Sequence, residues 1–264
     1  NETTETITFS INRFGSVYTF DDSMNAIKGQ YLLSEPEIIL HETNVDALLS
    51  DTIKIKITVN GVPRDLVEGA DYSVQFNGGE GEWSQYTYTI YKELFAGDGL
   101  YSVILYSVDR AGNVNENIDE VKAAEINFGV DKTRPVVVSV DLDSNKQYPV
   151  EEKSATFSIK DNLELASVRV YLNGEEVALQ IDGDNYTLVI AESNAPQSIK
   201  VIAVDAAGNE QVIEIENVLI TTNLFYRWYN NTPVFVGSIL GVVGMATGIS
   251  LFFVFFRRKR RRRA

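Results

Sequence analysis

The sequence predicts an all-β chain of tandem sandwich modules followed by one transmembrane α-helix. Three observations carry this. Strand-length runs alternate apolar with polar residues, the period of a half-buried strand. A hexapeptide occurs twice, VDRAGN at Val108–Asn113 and VDAAGN at Val204–Asn209, each time closing such a run; a near-repeat of this kind marks duplicated units. Pro233–Phe256 is uncharged and mostly apolar, and about 20 such residues suffice to cross a bilayer.

Taken in order, residues 7–20 (ITFSINRFGSVYTF) predict a strand pair bent at Gly15. In TIKIKITVNG, Ile53, Ile55, Ile57 and Val59 share one face against Lys54, Lys56 and Thr58, and the run ends at Asn60-Gly61. Asn-Gly accepts the positive φ of a tight hairpin turn. SVRVYLNG repeats the device: Val168, Val170 and Leu172 alternate with Arg169 and Tyr171 before Asn173-Gly174. Val103, Leu105 and Ser107 alternate ahead of the first hexapeptide, and Ile199, Val201 and Ala203 ahead of the second. Gly112-Asn113 and Gly208-Asn209 are expected to take left-handed backbone in the turn. A further strand follows each turn, at 124–130 and 211–216. In the second half, strand signals fall at 136–141, 154–160, 167–172, 176–181, 186–191, 198–204 and 211–216. From Asn60 to Asp109 the first half is longer than the matching stretch from Asn173 to Asp205, and the excess falls around FNGGEGEWSQ and YKELFAGDG.

SVDRAGN, AVDAAGN and the linker DKTRPVV resemble the Ig-like repeats of large bacterial cell-surface proteins of Gram-positive type, over roughly residues 40–218. The apolar span with its Arg/Lys tail resembles the C-terminal anchors of the same proteins. The resemblance implies tandem Ig-like β-sandwiches, and seven strand signals in so short a stretch suit such a module. One departure matters. Where many of those proteins carry Leu-Pro-x-Thr-Gly for sortase, this chain reads YNNTPVFVG, so the span itself is the expected anchor. The expected organisation is an Ig-like module with an extra N-terminal strand pair at 1–130, a linker at 131–134, a second module at 135–218, a juxtamembrane stalk at 219–232, the transmembrane helix at 233–256 and a basic cytoplasmic tail at 257–264. The chain starts at Asn1 without Met and is read as the C-terminal part of something longer.

Charge and composition narrow the function. Seven of the 23 basic residues lie in the tail Arg257–Arg263; the rest of the chain sets 16 basic against 37 acidic groups, a net of −21. Such a surface repels phosphates and speaks against nucleic acid as a partner. The basic run after the span places the C-terminus in the cytoplasm and residues 1–232 outside. Phe225, Tyr226, Trp228 and Tyr229 precede the span, where amphipathic rings favour the headgroup zone. There is no cysteine, which removes thiol catalysis and cysteine metal sites. The one histidine, His41, has no nucleophile-elbow pattern to serve. No catalytic residue is assigned, and no organic cofactor is expected.

Calcium is the one ion the acidic chain suits, since hard cations collect oxygen ligands. An EF-hand start at Asp141, Asp143 and Asn145 fails at its glycine position, occupied by Lys146. The candidate ligands are instead Asp109, Asp131 and Asp205, near the module junction. Trp83, beside the glycine-rich insertion, is the candidate for recognising a protein or carbohydrate ligand. Gly237, Gly241, Gly244 and Gly248 keep to one helical stripe, the pattern of a packing face for a second transmembrane helix. These readings converge on a membrane-anchored cell-surface stalk or adhesion module. The rivals are a receptor or accessory subunit assembling through its span, and the anchor region of a surface enzyme.

Overall fold

The structure, a computed structural model, describes residues 9, 11–78 and 83–261. Parts of the expected N-terminal strand pair (7, 8 and 10), of the glycine-rich insertion (79–82) and of the tail (262–264) lie outside the described residues. The chain divides into two compact units. The first runs to Pro135 and takes in Asp161–Ala166 and Val204–Glu210; the second holds Val136–Lys160, Ser167–Ala203 and the chain from Gln211 on.

The first unit holds β1 (Val17–Thr19), β2 (Tyr31–Leu32), β3 (Ile38–Asn44), β4 (Lys54–Val59), β5 (Val62–Asp65), β6 (Tyr72–Asn77), β7 (Ser84–Ile90), β8 (Gly99–Val108), β9 (Val114–Glu116) and β10 (Ile126–Val130). One sheet has the order β1-β3-β7-β6; the other is β2-β10-β8-β4-β5, with β9 added to β8. The opening segment therefore serves both sheets: β1 pairs antiparallel with β3 and β2 runs parallel to β10. This is the arrangement of an Ig-like sandwich. Of the N-terminal signal at 7–20, the described residues 9 and 11–16 form no strand and only Val17–Thr19 does, so in place of the expected strand pair bent at Gly15 the sandwich gains a single first strand.

Between β1 and β2 lies α1 (Asp22–Ile27), capped by the Asp21 carboxylate, which accepts the Met24 N–H at 2.9 Å. The β4–β5 hairpin turns on Asn60 (φ 49°) and Gly61 (φ 83°), both in the left-handed region a type I′ turn requires. A 3₁₀ turn at Lys92–Phe95 buries Phe95 edge-on to Tyr101 and Phe128, with both ring pairs 5.2 Å apart. The Tyr101 hydroxyl donates to the Gly97 carbonyl at 2.7 Å, as in the tyrosine corner of sandwiches.

In β3 the buried positions alternate strictly: Ile38, Leu40, Glu42 and Asn44 all face inward. Period two thus carries a carboxylate into the core. Glu42 is fully buried and accepts the Tyr88 hydroxyl at 2.8 Å, the Ser107 hydroxyl at 2.6 Å and the Tyr18 hydroxyl at 3.3 Å. Burial, and then the Glu42 charge, push the Tyr18 and Tyr88 phenols far up from their ordinary values, so both remain donors.

A second sandwich repeats the plan with β11 (Val136–Ser139), β12 (Gln147–Tyr148), β13 (Glu152–Lys160), β14 (Leu165–Leu172), β15 (Glu175–Val177), β16 (Gln180–Asp182), β17 (Asn185–Ala191), β18 (Gln197–Asp205) and β19 (Glu210–Ile220); β14, β18 and β19 each have one end in the first unit. Its sheets read β11-β13-β17-β16 and β12-β19-β18-β14-β15. Each position matches the first unit, including a parallel pair, here β12 with β19. Phe157, Ile159, Val170, Leu188, Ile190, Ile199, Val201 and Ile220 are among its buried residues. Asn173 (φ 52°) and Gly174 (φ 88°) form the matching hairpin turn.

Three local expectations change. The single signal at 176–181 is two strands, because the chain leaves one sheet after Val177 and joins the other at Gln180. β12 is only two residues long and carries no alternation to read. The last strand extends to Ile220, with Leu219 and Ile220 buried, so the segment before the span is shorter than 219–232. It contains α2 (Leu224–Tyr229), whose N-cap Asn223 side chain accepts the Phe225 N–H at 2.9 Å. After it comes α3 (Thr232–Arg261).

The buried Glu42 network yields the first prediction. Tyr88→Phe removes a donor from a desolvated carboxylate, and leaving such a group short costs about 1–3 kcal/mol. Urea unfolding should show an earlier transition for this variant; an unchanged midpoint would mean that Glu42 does not depend on the phenol.

Candidate metal centre

Among the described residues, one group of metal-type ligands converges: Asp131, Asp161 and Asp205, whose participating oxygens all lie within 4.8 Å of one another. All three belong to the first unit. Asp131 follows directly on β10, Asp161 follows β13, and Asp205 ends β18. Asp131 and Asp205 are buried and Asp161 is half-buried.

Each carboxylate is held by its own loop. The Asp131 N–H donates to the Leu32 carbonyl at 2.9 Å, while its Oδ1 accepts the Thr133 N–H at 3.1 Å and the Asn162 amide at 3.3 Å. The expected linker is therefore pinned at its first residue. Asp161 Oδ2 accepts the Leu163 N–H at 3.0 Å, an Asx turn. Asp205 Oδ1 accepts the Asn209 N–H at 2.8 Å and its Oδ2 the Asn209 amide at 2.8 Å; that amide also donates to the Asp131 carbonyl at 3.0 Å. Two oxygens in the group have no donor: Asp131 Oδ2 and Asp161 Oδ1. Burial pushes the Asp131 carboxyl up from its ordinary value; the charges of Asp161 and Asp205 act the same way, against the hydrogen bonds from Thr133 and Asn162.

Asp109 is not part of this group, which corrects the expected ligand set. It holds the same place in the first sandwich that Asp205 holds in the second, and it makes the same turn. Its Oδ1 accepts the Asn113 N–H at 2.9 Å and its Oδ2 the Asn113 amide at 2.8 Å. Around it, however, stand amides. Asn12 donates to Asp109 Oδ2 at 2.7 Å and to Asn44 Oδ1 at 2.7 Å. Asn44 donates to the Ser16 hydroxyl at 2.9 Å and to Asp109 Oδ2 at 3.3 Å.

The correspondence extends through the backbone. The Asn113 amide reaches the Asn12 carbonyl at 3.1 Å, as the Asn209 amide reaches Asp131. Asn44 Oδ1 accepts the Asp46 N–H at 2.9 Å, the Asx turn that Asp161 makes. The Arg110 N–H meets the Ala47 carbonyl as the Ala206 N–H meets that of Glu164. Asn12, Asn44 and Asp109 are thus the counterparts of Asp131, Asp161 and Asp205. Sequence reasoning missed Asp161 because its loop differs in length and composition from its counterpart; only the hydrogen bonds align them.

The hexapeptide glycines are left-handed as expected, Gly112 at φ 87° and Gly208 at φ 95°, but Asn113 and Asn209 are not among the positive-φ residues. Their side chains, rather than any backbone tolerance, account for their place in the motif. The EF-hand-like start is dispersed into ion pairs, Asp141 with Lys153 at 2.7 Å and Asp143 with Lys146 at 2.6 Å. His41 lies half-buried on β3 against the Thr87 hydroxyl at 3.0 Å. Trp83 is 55% exposed just before β7. Gly237, Gly241, Gly244 and Gly248 have nothing within 4 Å of where a Cβ would stand.

No family model matches the chain, and no curated protein matches it. Among solved structures, it is similar to fibronectin(III)-like modules of Clostridium thermocellum CbhA, with 16% identity over 79% of this chain and 96% of that one, at a TM-score of 0.35. The N-terminal eight Ig domains of Down Syndrome Cell Adhesion Molecule, isoform 1.30.30, show 13% identity over 78% of this chain and 28% of that one, at a TM-score of 0.24. A complex of Dpr2 Ig1-Ig2 with DIP-Theta Ig1-Ig3 shows 7% identity over 74% and 94%, at 0.26. The strand order set out above, rather than these likenesses, defines the fold.

The amide-satisfied constellation can be tested directly. Asn44→Asp removes two buried donors and sets a second carboxylate beside Asp109, and an uncompensated buried charge of this kind costs about 3–5 kcal/mol. Chemical denaturation in calcium-free buffer should show the loss; a midpoint equal to that of the wild type would mean that the amide is not needed there.

Proposed function

We propose that this chain is the membrane-anchored portion of a cell-surface protein, its two Ig-like sandwiches acting as stalk or adhesion modules outside the cell. The observation that carries the reading is the helix that follows the second sandwich. Thr232–Arg258 is long and apolar enough to cross a membrane, and its most apolar stretch is not buried against the rest of the chain. At 1.5 Å per residue this segment is about 40 Å long, enough for the hydrocarbon core and part of the headgroup zone. Exposed Leu240, Val242, Met245, Leu251, Phe252 and Phe255 would suit lipid and would be costly in water.

The flanks agree with an outside sandwich and an inside tail. Phe225, Trp228 and Tyr229 cluster with Phe235 at the N-terminal end of α3, and the Trp228 indole N–H donates to the Ser238 hydroxyl at 3.1 Å. This apolar and polar mixture fits an interface. The other end carries the Arg/Lys run, which resists translocation. Protease added to intact cells should remove the sandwiches and spare a tag placed after Ala264. Loss of the tag with survival of the sandwiches would reverse the topology.

A second reading, an accessory subunit that assembles through its span, is favoured by the open glycine stripe of α3. Small residues on one stripe let a second backbone approach closely. A membrane dimerisation reporter fused to residues 230–258 should give a signal that Gly241→Ile or Gly244→Ile abolishes. Equal background from all three would exclude self-association through this stripe.

A further inference from the structure

We propose that Asp131, Asp161 and Asp205 bind one divalent cation of the calcium class. The inference is independent of the membrane topology, since it rests only on the first unit. Three carboxylates are gathered within 4.8 Å, and unlike an ordinary cluster on an acidic surface two of them are buried. Two further observations point to a ligand.

The first is an orphaned oxygen. Asp131 is 0% exposed and its Oδ2 has no hydrogen-bond donor. Asp161 Oδ1, from the same group of residues, is buried and without a donor as well. Buried polar groups are almost always partnered, and a buried anion needs a cation or several donors. No Lys or Arg side chain makes a hydrogen bond or ion pair with any of the three carboxylates among the described contacts.

The second is the internal control that the duplication provides. The first sandwich builds the same three-loop constellation from Asn12, Asn44 and Asp109. There, one negative charge meets amide donors from its own group and is satisfied without any ion. In the second constellation both amides are carboxylates, so two sources of donors have become two further charges. The backbone turns are retained, and what has changed is the charge at the centre. A divalent cation supplies what the amides supply in the first copy: positive potential shared among the facing oxygens.

The chemistry of the donors selects the ion. An all-oxygen set suits a hard cation rather than zinc or copper. A calcium–oxygen bond is about 2.4 Å, so two oxygens on opposite sides of the ion stand about 4.8 Å apart. The three oxygens, within 4.8 Å of one another, fit inside that span, and a flexible shell of six to eight oxygens tolerates an irregular set better than the near-ideal octahedron that magnesium demands. Asp161 is only half-buried, and waters reaching it would complete calcium's six to eight ligands. The Asn162 amide, already at Asp131 Oδ1, is placed to orient that carboxylate. The bound ion would tie together three segments distant in sequence, the start of the 131–134 stretch and the loops 161–166 and 204–210.

The test uses the full chain in detergent micelles. Calorimetric titration with calcium chloride should show binding at one site, and the melting midpoint should rise in millimolar calcium over chelator at matched ionic strength, because an ion that binds only the native state stabilises it. Asp131→Asn with Asp161→Asn recreates the Asn/Asn/Asp set of the first sandwich. This double variant should lose the calcium response and, in chelator, melt no lower than the wild type, since amides now donate where carboxylates repelled. Asp161→Asn alone, at the half-buried position, should weaken binding by about tenfold or more, and it carries the test if the double variant does not fold. No heat of binding and no midpoint shift for the folded wild type would overturn the proposal. So would a calcium response that survives Asp161→Asn unchanged, because the ion would then be held elsewhere on the acidic surface.

Discussion

A carboxylate that ends a long central strand inside a sandwich must be satisfied where water does not reach, and much of this protein's architecture follows from that constraint. Asp109 and Asp205 are both buried at such positions. Each is met by the asparagine four residues on, whose backbone N–H and side-chain amide take the two carboxylate oxygens. The asparagine then reaches a distant segment of chain. A local turn is thereby converted into a tertiary clamp. The glycine between them lets the backbone return at positive φ, and the following strand can add to the sheet.

Having solved the same problem twice, the chain surrounds the two clamps differently. Around Asp109 the partners are amides, which donate as well as accept, and the group closes on itself. Around Asp205 the partners are carboxylates, which when ionised only accept. Their loops hold them in place through backbone N–H donors at Asp131 and Asp161, so their convergence is built into the fold and is not a chance meeting of mobile surface groups. The raised Asp131 carboxyl reflects the same strain: burial and like charges oppose ionisation at a position the backbone will not release.

The interior of the first sandwich shows a third form of the constraint. Glu42 occupies a core position by strict alternation along β3, and three hydroxyls from β1, β7 and β8 converge on it. Those strands come from both sheets, so this hydrogen-bonded centre links the two layers where apolar packing alone would not fix their register. In the second unit the polar demand falls at the end of the sandwich, where Gln197 takes the place of Tyr101 and donates to the Ala191 carbonyl at 3.0 Å. A different side chain thus also binds a backbone carbonyl at the corner where Tyr101 does so in the first unit.

The sequence by itself determined the strand class, the duplication, the Asn-Gly hairpins and the apolar C-terminal helix, because each depends on a local period or a residue's own backbone preference. Ile55 and Ile57 alternate with lysines whatever lies across the sheet, and Asn60-Gly61 favours its turn without tertiary help. Tertiary structure alone decided the sheet change between Val177 and Gln180, the two-residue β12 and the three hydroxyl partners of Glu42, since these depend on residues far along the chain. The same holds for the metal-type group. Asp205 was legible as the acidic residue of a repeated turn, and Asp131 as the acidic start of the linker between the modules. Asp161 was not, and Asp109 has the same local signal as Asp205, because a hexapeptide reports its own turn but not what packs against it. Which oxygens meet is set by long-range register, and only the folded chain shows that Asp109 is answered by Asn12 and Asn44 while Asp205 is faced by two more carboxylates.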